Sequence, residues 1–201
     1  MAFEQEVKPP SKLIHALQEL HMRVGRSEAR WLLGGSCGLW LQGVRLATGP
    51  RDVDVYADYR DARILHGLLK DLAVDEPRLD ESGMYSSELS HYALGDYSLE
   101  LVGGFRIETD SSSYTTEVTE VLAPEGQRIA VEGALLPLMP LAHELVFNIL
   151  RSRQDRYEAI AEAITTEPSR HVPLLKSLIA RNRWSREHQC LLEELLSMKL
   201  Q

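Results

Sequence analysis

The segment 33–56 constrains the fold of this chain more than any other part of the sequence. It begins with a Gly-Gly-Ser turn at 34–36, continues as an apolar helical stretch, and ends in a strand-like run that contains Asp52 and Asp54. In a β-strand, residues i and i+2 project from the same face, with Cα atoms about 6.5–7 Å apart. The pattern therefore predicts a turn, a helix and a strand in succession, with two carboxylates side by side on one face of that strand.

The paired carboxylates predict a metal site. Asp52 and Asp54 repel each other and raise each other's pKa unless a positive charge lies between them. A hard divalent cation takes oxygen ligands and commonly retains waters and phosphate oxygens, so Mg²⁺, or Mn²⁺ in its place, is the expected cofactor. The turn formed by Gly34, Gly35 and Ser36 opens a helix, where free backbone N–H groups favour phosphate. The segment therefore indicates nucleotide chemistry, and the alternative for the Asp pair is an acidic, half-exposed edge strand.

The segment resembles the nucleotidyltransferase superfamily related to DNA polymerase β, which combines a Gly-Ser turn, an Asp-x-Asp strand and a third carboxylate on a later strand. The longer spacing is similar to that of small bacterial nucleotidyltransferases grouped with abortive-infection toxins and aminoglycoside-modifying enzymes. The matching residues are Gly34, Gly35, Leu39, Leu41, Gly43, Thr48, Arg51, Asp52 and Asp54. The resemblance implies that Asp52 and Asp54 hold the metal. The residues it implies for binding the nucleotide phosphates are Gly34, Gly35, Ser36 and Arg51, and the alternative for Arg51 is an exposed residue at the entry to the strand.

A third carboxylate completes the pattern that the resemblance implies, and Glu100 is the main candidate for it. Leu99 and Leu101 alternate with Glu100 in a strand-like run, so the acid lies on the face opposite to the leucines. In two-metal phosphoryl transfer such a carboxylate binds the second metal and accepts the proton of the attacking hydroxyl. The family usually has Asp here, so Glu100 reaches one methylene further. Asp96 and Glu108 are rivals, and a solvated strand residue is the alternative interpretation of Glu100.

The helical region after the sheet departs from the family pattern at one position. The bacterial members carry Lys where this chain has Asn148, so a cation that could face the triphosphate is missing. Arg151 or Arg153 is expected to replace it, or else the activity has changed or been lost. The His-Glu pair at 143–144 does not extend to the zinc-protease pattern His-Glu-x-x-His, because Phe147 occupies the position of the second histidine.

Composition and charge limit the classes of partner. The net charge of −8 argues against an extended surface for nucleic acid, which requires clustered Lys and Arg. Apolar runs are broken before the ~20 residues that a membrane span needs, and residues 1–10 contain no apolar signal core. Cys37 and Cys190 are too few for a disulfide framework. We therefore expect a cytoplasmic protein with reduced thiols and no membrane association.

Hydrophobic periodicity predicts an α+β fold in which helices flank a mixed β-sheet and a helical bundle follows. The predicted helices lie at 11–21 (with Ser11 as N-cap), 36–42, 59–72, 141–151, 155–165, 172–181 and 186–199. The predicted strands lie at 29–33, 51–56, 84–94, 97–102, 105–109, 115–122 and 127–131, with a flexible loop at 111–113. Because the period changes from 2 to 3.6 at residue 141, the chain is expected to divide into a nucleotidyltransferase core at 1–140 and a C-terminal helical region at 141–201.

The resemblance implies Mg²⁺-dependent transfer of a nucleoside monophosphate from an NTP to a hydroxyl group, with release of pyrophosphate. ATP is the expected NTP. The acceptor stays open among a small molecule, a protein side chain and a tRNA end, although the acidic net charge favours a cationic small molecule or a protein. Two alternatives keep the same fold: a catalytically inactive module that binds a nucleotide or a partner, and a toxin–antitoxin component that acts through a protein partner.

Overall fold

Helices and strands alternate along the first part of the chain, and α-helices follow from residue 141. The computed structural model describes residues 9–200; residues 1–8, which include most of the N-terminal stretch examined for a signal core, lie outside them. The α-helices are α1 (Ser11–Val24), α2 (Gly35–Leu41), α3 (Tyr59–Leu69), α4 (Leu141–Leu150), α5 (Gln154–Thr166), α6 (Pro168–Arg181) and α7 (Arg186–Leu195). The strands are β1 (Trp31–Gly34), β2 (Asp52–Ala57), β3 (Arg78–Asp80), β4 (Tyr85–Leu94), β5 (Tyr97–Glu108), β6 (Ser113–Thr115), β7 (Arg128–Val131) and β8 (Ala134–Pro137).

The main sheet is mixed, as the sequence predicts. Its strands follow the order β1-β2-β5-β4-β3, and β6 pairs with β5 at a further edge. β2 and β5 are parallel, whereas β1–β2, β4–β5, β3–β4 and β5–β6 are antiparallel. β7 and β8 form a separate antiparallel hairpin. Helices cover both faces of the main sheet, so the predicted α+β fold class is confirmed.

The two faces of the main sheet bury different hydrophobic clusters. On one face, Val53 of β2 is buried with residues of α1 and α3. On the other face, Tyr56 of β2 and Val102 of β5 are buried with residues of the C-terminal helices. Asp52 and Asp54 share the face of Tyr56 but lie nearer the start of β2, where the helices leave an open cavity. Because this cluster joins residues from both sides of residue 140, both parts of the chain build the cavity, and the division into domains at 140 stays a prediction.

The predicted strand at 115–122 is wrong. β6 ends at Thr115, and a π-helix occupies Val118–Leu122. The carboxylate oxygens of Asp58 stabilise the start of this helical turn by accepting hydrogen bonds from the backbone amides of Val118 at 3.0 Å and Thr119 at 2.9 Å. Ser111 and Ser112 form the predicted loop and Ser113 begins β6; Ser112 is fully buried and accepts a hydrogen bond from the amide of Ser185 at 2.8 Å.

Smaller differences concern element ends and two short strands. α1 begins at Ser11 itself, with Pro10 in the N-cap position and no side-chain cap. β3 and β8, of three and four residues, were not predicted. α6 begins at Pro168, earlier than the predicted 172, and Pro173 lies inside that helix. Among the described residues, no helix combines the length and the apolar character that crossing a membrane requires.

Candidate active site

A cavity of about 360 Å³ opens on the face of the sheet that carries the Asp pair. Its walls come from β2, β5, the turn at 34–36, and the segment that joins α4 to α5. The predicted site residues that line it are Gly35, Ser36, Asp52, Asp54 and Glu100. Gly34 lies immediately before this group at the end of β1. Arg51 is exposed and does not line the cavity, so the structure does not bring it to the other predicted residues.

Sheet register places the three predicted carboxylates on one wall. β2 and β5 pair in parallel with Asp54 opposite Glu100, so these side chains project from the same face. Ser36 donates its hydroxyl to Oδ1 of Asp52 at 3.3 Å, which ties the turn to the start of β2. Burial raises the pKa of the Asp54 carboxyl well above its ordinary value, and the charges of Asp52 and Glu100 raise it further. Without a bound cation, ionisation of Asp54 beside these two carboxylates is therefore unfavourable.

The glycine turn makes room for this carboxylate wall. Gly35 has a φ of +58°, and a Cβ atom at this position would overlap the carboxylate of Asp54. A Cβ atom at Gly34 would lie 2.9 Å from Oε1 of Glu144 and 2.9 Å from the ring of Tyr56. Both glycines are therefore required by close packing around the site, whether or not a phosphate approaches the turn.

Glu144 of α4 lines the same cavity and was missed as a site residue. Its side chain is buried, and Oε1 accepts a hydrogen bond from the backbone N–H of Gly35 at 2.8 Å. Burial raises the pKa of Glu144 to about 7, although the Gly35 hydrogen bond and the nearby Arg156 oppose that rise. The available signal was a single acidic residue in the mainly apolar sequence of Leu141–Leu150.

Three arginines from the end of α4 and the start of α5 contribute positive charge to the cavity. Arg151, Arg153 and Arg156 all line it. The guanidinium of Arg151 lies 4.6 Å from the ring centroid of Phe147, a cation–π contact that fixes its position near the carboxylates. Arg153 donates two hydrogen bonds to Asp155, at 2.9 and 2.8 Å. The two arginines considered as replacements for the missing Lys therefore both reach the cavity.

The position of the missing Lys has a different role here. Asn148 is buried at the cavity wall, and its side-chain amide donates a hydrogen bond to the backbone oxygen of Glu144 at 2.8 Å. It adds no positive charge, so the cations that share the cavity with the carboxylates are the arginines that follow α4.

The rival third acids lie elsewhere. Asp96 pairs with Lys12 at 3.1 Å, and Glu108 pairs with Arg106 at 2.7 Å; neither lines the cavity. Glu100 instead lies 4.0 Å from Nε2 of His91, on the neighbouring strand. Asp75 holds this histidine by accepting hydrogen bonds from its backbone amide and from Nδ1, both at 2.7 Å.

The donor chemistry of the wall fits a hard divalent cation. Asp52, Asp54 and Glu100 offer only carboxylate oxygens, and their mutual repulsion is relieved by a positive charge. Within residues 9–200, no three His, Cys, Asp or Glu side chains converge closely enough to form a ready-made metal cluster. The residues therefore fit Mg²⁺ or Mn²⁺ in chemical type, and Asp52 and Asp54 are the pair that would hold it.

Comparison with known proteins identifies the fold. No protein-family model and no curated protein sequence matches this chain. A crystal structure from Thermotoga maritima, assigned as a nucleotidyltransferase, superposes with a TM-score of 0.64 at 16% identity, covering 83% of this chain and 100% of that one. The solution structure of the antibiotic-resistance factor ANT(2'')-Ia superposes with a TM-score of 0.52 at 12% identity, covering 85% of this chain and 93% of that one. The nucleotidyltransferase fold expected from the sequence is therefore confirmed.

Proposed function

We propose that the protein transfers a nucleoside monophosphate from an NTP to a hydroxyl group of an acceptor and releases pyrophosphate. The observation that carries this proposal is the cavity itself, which is lined both by the carboxylates of β2 and β5 and by a cluster of arginines. Phosphoryl-transfer sites require both parts, because catalysis of this reaction depends on positioning and on electrostatic stabilisation. The fold supports the proposal, since the Thermotoga maritima protein that it resembles is assigned to the same class.

The carboxylate wall is the proposed metal-binding part. Asp52 and Asp54 would hold Mg²⁺ or Mn²⁺, and Glu100 would add a further ligand from β5. The bound metal would neutralise the triphosphate and lower the pKa of the attacking hydroxyl. Asp54 is central to this assignment, because it lies between the other two carboxylates and against the glycine turn.

The arginines and the turn are the proposed triphosphate-binding part. Arg151, Arg153 and Arg156 line the same cavity as the carboxylates, so phosphate oxygens bound there would meet both a metal and guanidinium groups. Ser36 lines the same cavity and presents its hydroxyl beside Asp52. Gly34 and Gly35 contribute their small size, and Arg51 is not needed in this arrangement.

Glu100 is the proposed general base. Its carboxylate lies on the same sheet face as Asp54 and opens to the cavity, so it is placed to accept a proton from a hydroxyl that approaches the α-phosphate. Asp80 of β3 also lines the cavity. Two acidic groups at this side favour a cationic small molecule or a protein as the acceptor over a tRNA end. ATP is the proposed donor, and the cytoplasm is the proposed location.

Pyrophosphate release is the test of this proposal. The purified protein is incubated with each NTP, with Mg²⁺ or Mn²⁺, and with panels of aminoglycosides, proteins and tRNA. We expect metal-dependent release that Asp54→Asn abolishes and Asp96→Asn preserves, because Asp96 lies outside the cavity and pairs with Lys12. Nucleotide binding without release under any condition would favour the inactive module. Toxicity on expression that requires the Asp-x-Asp strand would favour the toxin component.

A further inference from the structure

Glu144 forms a contact that catalysis by the carboxylate wall does not itself require. Its hydrogen bond to the Gly35 amide joins residues 109 positions apart and connects α4 to the turn before α2. The side chain is 1% exposed and is the one acidic group of α4, whose other polar residues are His143 and Asn148. An apolar residue of similar size would avoid the cost of burying a carboxylate, so packing alone does not explain Glu144.

Two carboxylates occupy the space beside the two glycines. The carboxylate of Asp54 fills the position of a Cβ atom at Gly35, and Oε1 of Glu144 lies 2.9 Å from that of a Cβ atom at Gly34. The position of the turn is therefore set from two sides, by Asp54 from β2 and by Glu144 from α4. If the turn moved away from Glu144, its contact with the Asp54 side chain would change as well.

We infer that Glu144 is a positioning residue, which fixes the Gly34–Gly35 turn and thereby holds the Asp54 carboxylate in the cavity. The inference rests on the proposed function for its catalytic consequence, but the contact itself does not. It also reassigns the Gly35 amide, because that N–H is satisfied by Glu144 and is not a free phosphate donor. Arg151 lies two turns after Glu144 at the end of α4, so the same helix places both the turn and a guanidinium.

Three variants separate this role from simple packing. Glu144→Met keeps the approximate size but removes the acceptor for the Gly35 amide, whereas Glu144→Gln keeps a carbonyl oxygen that can accept it. Gly34→Ala disturbs the same contact from the other side, because the backbone is extended (φ −120°) and the new methyl would lie 2.9 Å from Oε1, although it also meets the ring of Tyr56. The double variant Gly34→Ala/Glu144→Met should show strong non-additivity if both act through one contact.

Amide hydrogen exchange of Gly35 gives a readout that does not depend on activity. In protein without nucleotide, we expect Glu144→Met and Gly34→Ala to accelerate Gly35 exchange at least tenfold, with Glu144→Gln staying near wild type. Exchange in the β2–β5 ladder should stay unchanged in all three. Unchanged Gly35 exchange in Glu144→Met would overturn the inference.

Turnover then tests the catalytic consequence. We expect Glu144→Met to lower kcat by about 10–100-fold with a smaller change in KM, because a misplaced Asp54 weakens the transition state more than ground-state binding. The kcat of Glu144→Gln should be at least tenfold higher than that of Glu144→Met. Equal losses in both variants would overturn the inference, since they would assign the effect to the charge. A wild type without turnover would refute the proposed function alone, and Gly35 exchange would still decide the contact.

Discussion

Glu144→Gln should change the pH dependence of stability. The carboxyl is buried, and its pKa rises from the ordinary 4.5 to about 7 in the folded protein. Because the folded state binds this proton more tightly than the unfolded state, the contribution of Glu144 to stability is fully present below pH 4.5 and is lost as the pH rises through 7.

The expected magnitude follows from the two pKa values. The difference between 4.5 and about 7 corresponds to roughly 3 kcal/mol when the ionised carboxylate is buried at high pH. Most of this loss falls between about pH 5 and pH 8, where the unfolded state has released the proton and the folded state is releasing it. A glutamine at 144 does not titrate, so the variant should lack this loss.

Urea denaturation at pH 5 and pH 8 measures the effect. The wild type should lose stability between pH 5 and pH 8, and the variant should not. The free energy of unfolding of Glu144→Gln minus that of the wild type should therefore be about 2–3 kcal/mol larger at pH 8 than at pH 5. Groups shared by both proteins cancel in this comparison. Glu120→Gln is the matched control, because Glu120 is exposed and the same substitution is made outside the cavity. Parallel curves for Glu144→Gln itself would refute the reasoning, since they would mean that the carboxyl is not held in a low-dielectric environment.

Three further predictions concern His143, the turn and the proposed base. Burial lowers the pKa of His143 to about 3, so the stability that this group contributes above pH 6.5 is lost as the pH falls towards 3. His143→Phe removes this titration. The variant should therefore unfold at a lower pH than the wild type in an acid titration followed by circular dichroism. Gly35→Ala should cost roughly 1–2 kcal/mol for its positive φ and also reduce turnover more than tenfold by overlapping the neighbouring carboxylate. Gly95→Ala, with a φ of +60° and nothing within 4 Å, should share the stability cost measured by denaturation but keep full turnover. Glu100→Gln should lower turnover by about 10²–10⁴-fold while Mg²⁺–NTP binding persists, whereas Glu108→Gln should affect neither rate nor calorimetric affinity.

Local sequence patterns were sufficient for the elements that carry the Asp pair. Strict alternation around Asp52 and Asp54 predicted β2 and the assignment of its two faces, because side-chain period in a strand depends only on sequence spacing. The Gly-Gly-Ser turn predicted the entry to α2 for the same local reason. The class of the fold followed from these elements together with the switch to helical periodicity at residue 141.

Long-range contacts account for what the sequence did not reveal. Glu144 reaches Gly35 across 109 positions, so no local pattern connects the two residues. The β-branched residues between 115 and 122 favoured a strand, but the carboxylate of Asp58 binds the amides at 118 and 119 and stabilises a helical turn. Glu100, and not Asp96 or Glu108, lies beside the Asp pair because β2 and β5 are paired in parallel with Asp54 opposite Glu100. Periodicity does not specify that pairing.

Metal-dependent nucleotide binding by the Asp pair is the central claim, and the melting temperature tests it most directly. ATP with Mg²⁺ at 100 times its dissociation constant should stabilise the wild type by about 2.7 kcal/mol, which raises the melting temperature by several degrees. ATP with a chelator, or Mg²⁺–ATP with Asp54→Asn, should give no such rise, whereas Asp96→Asn should behave as the wild type. An equal rise without metal, or an equal rise in Asp54→Asn, would contradict the account.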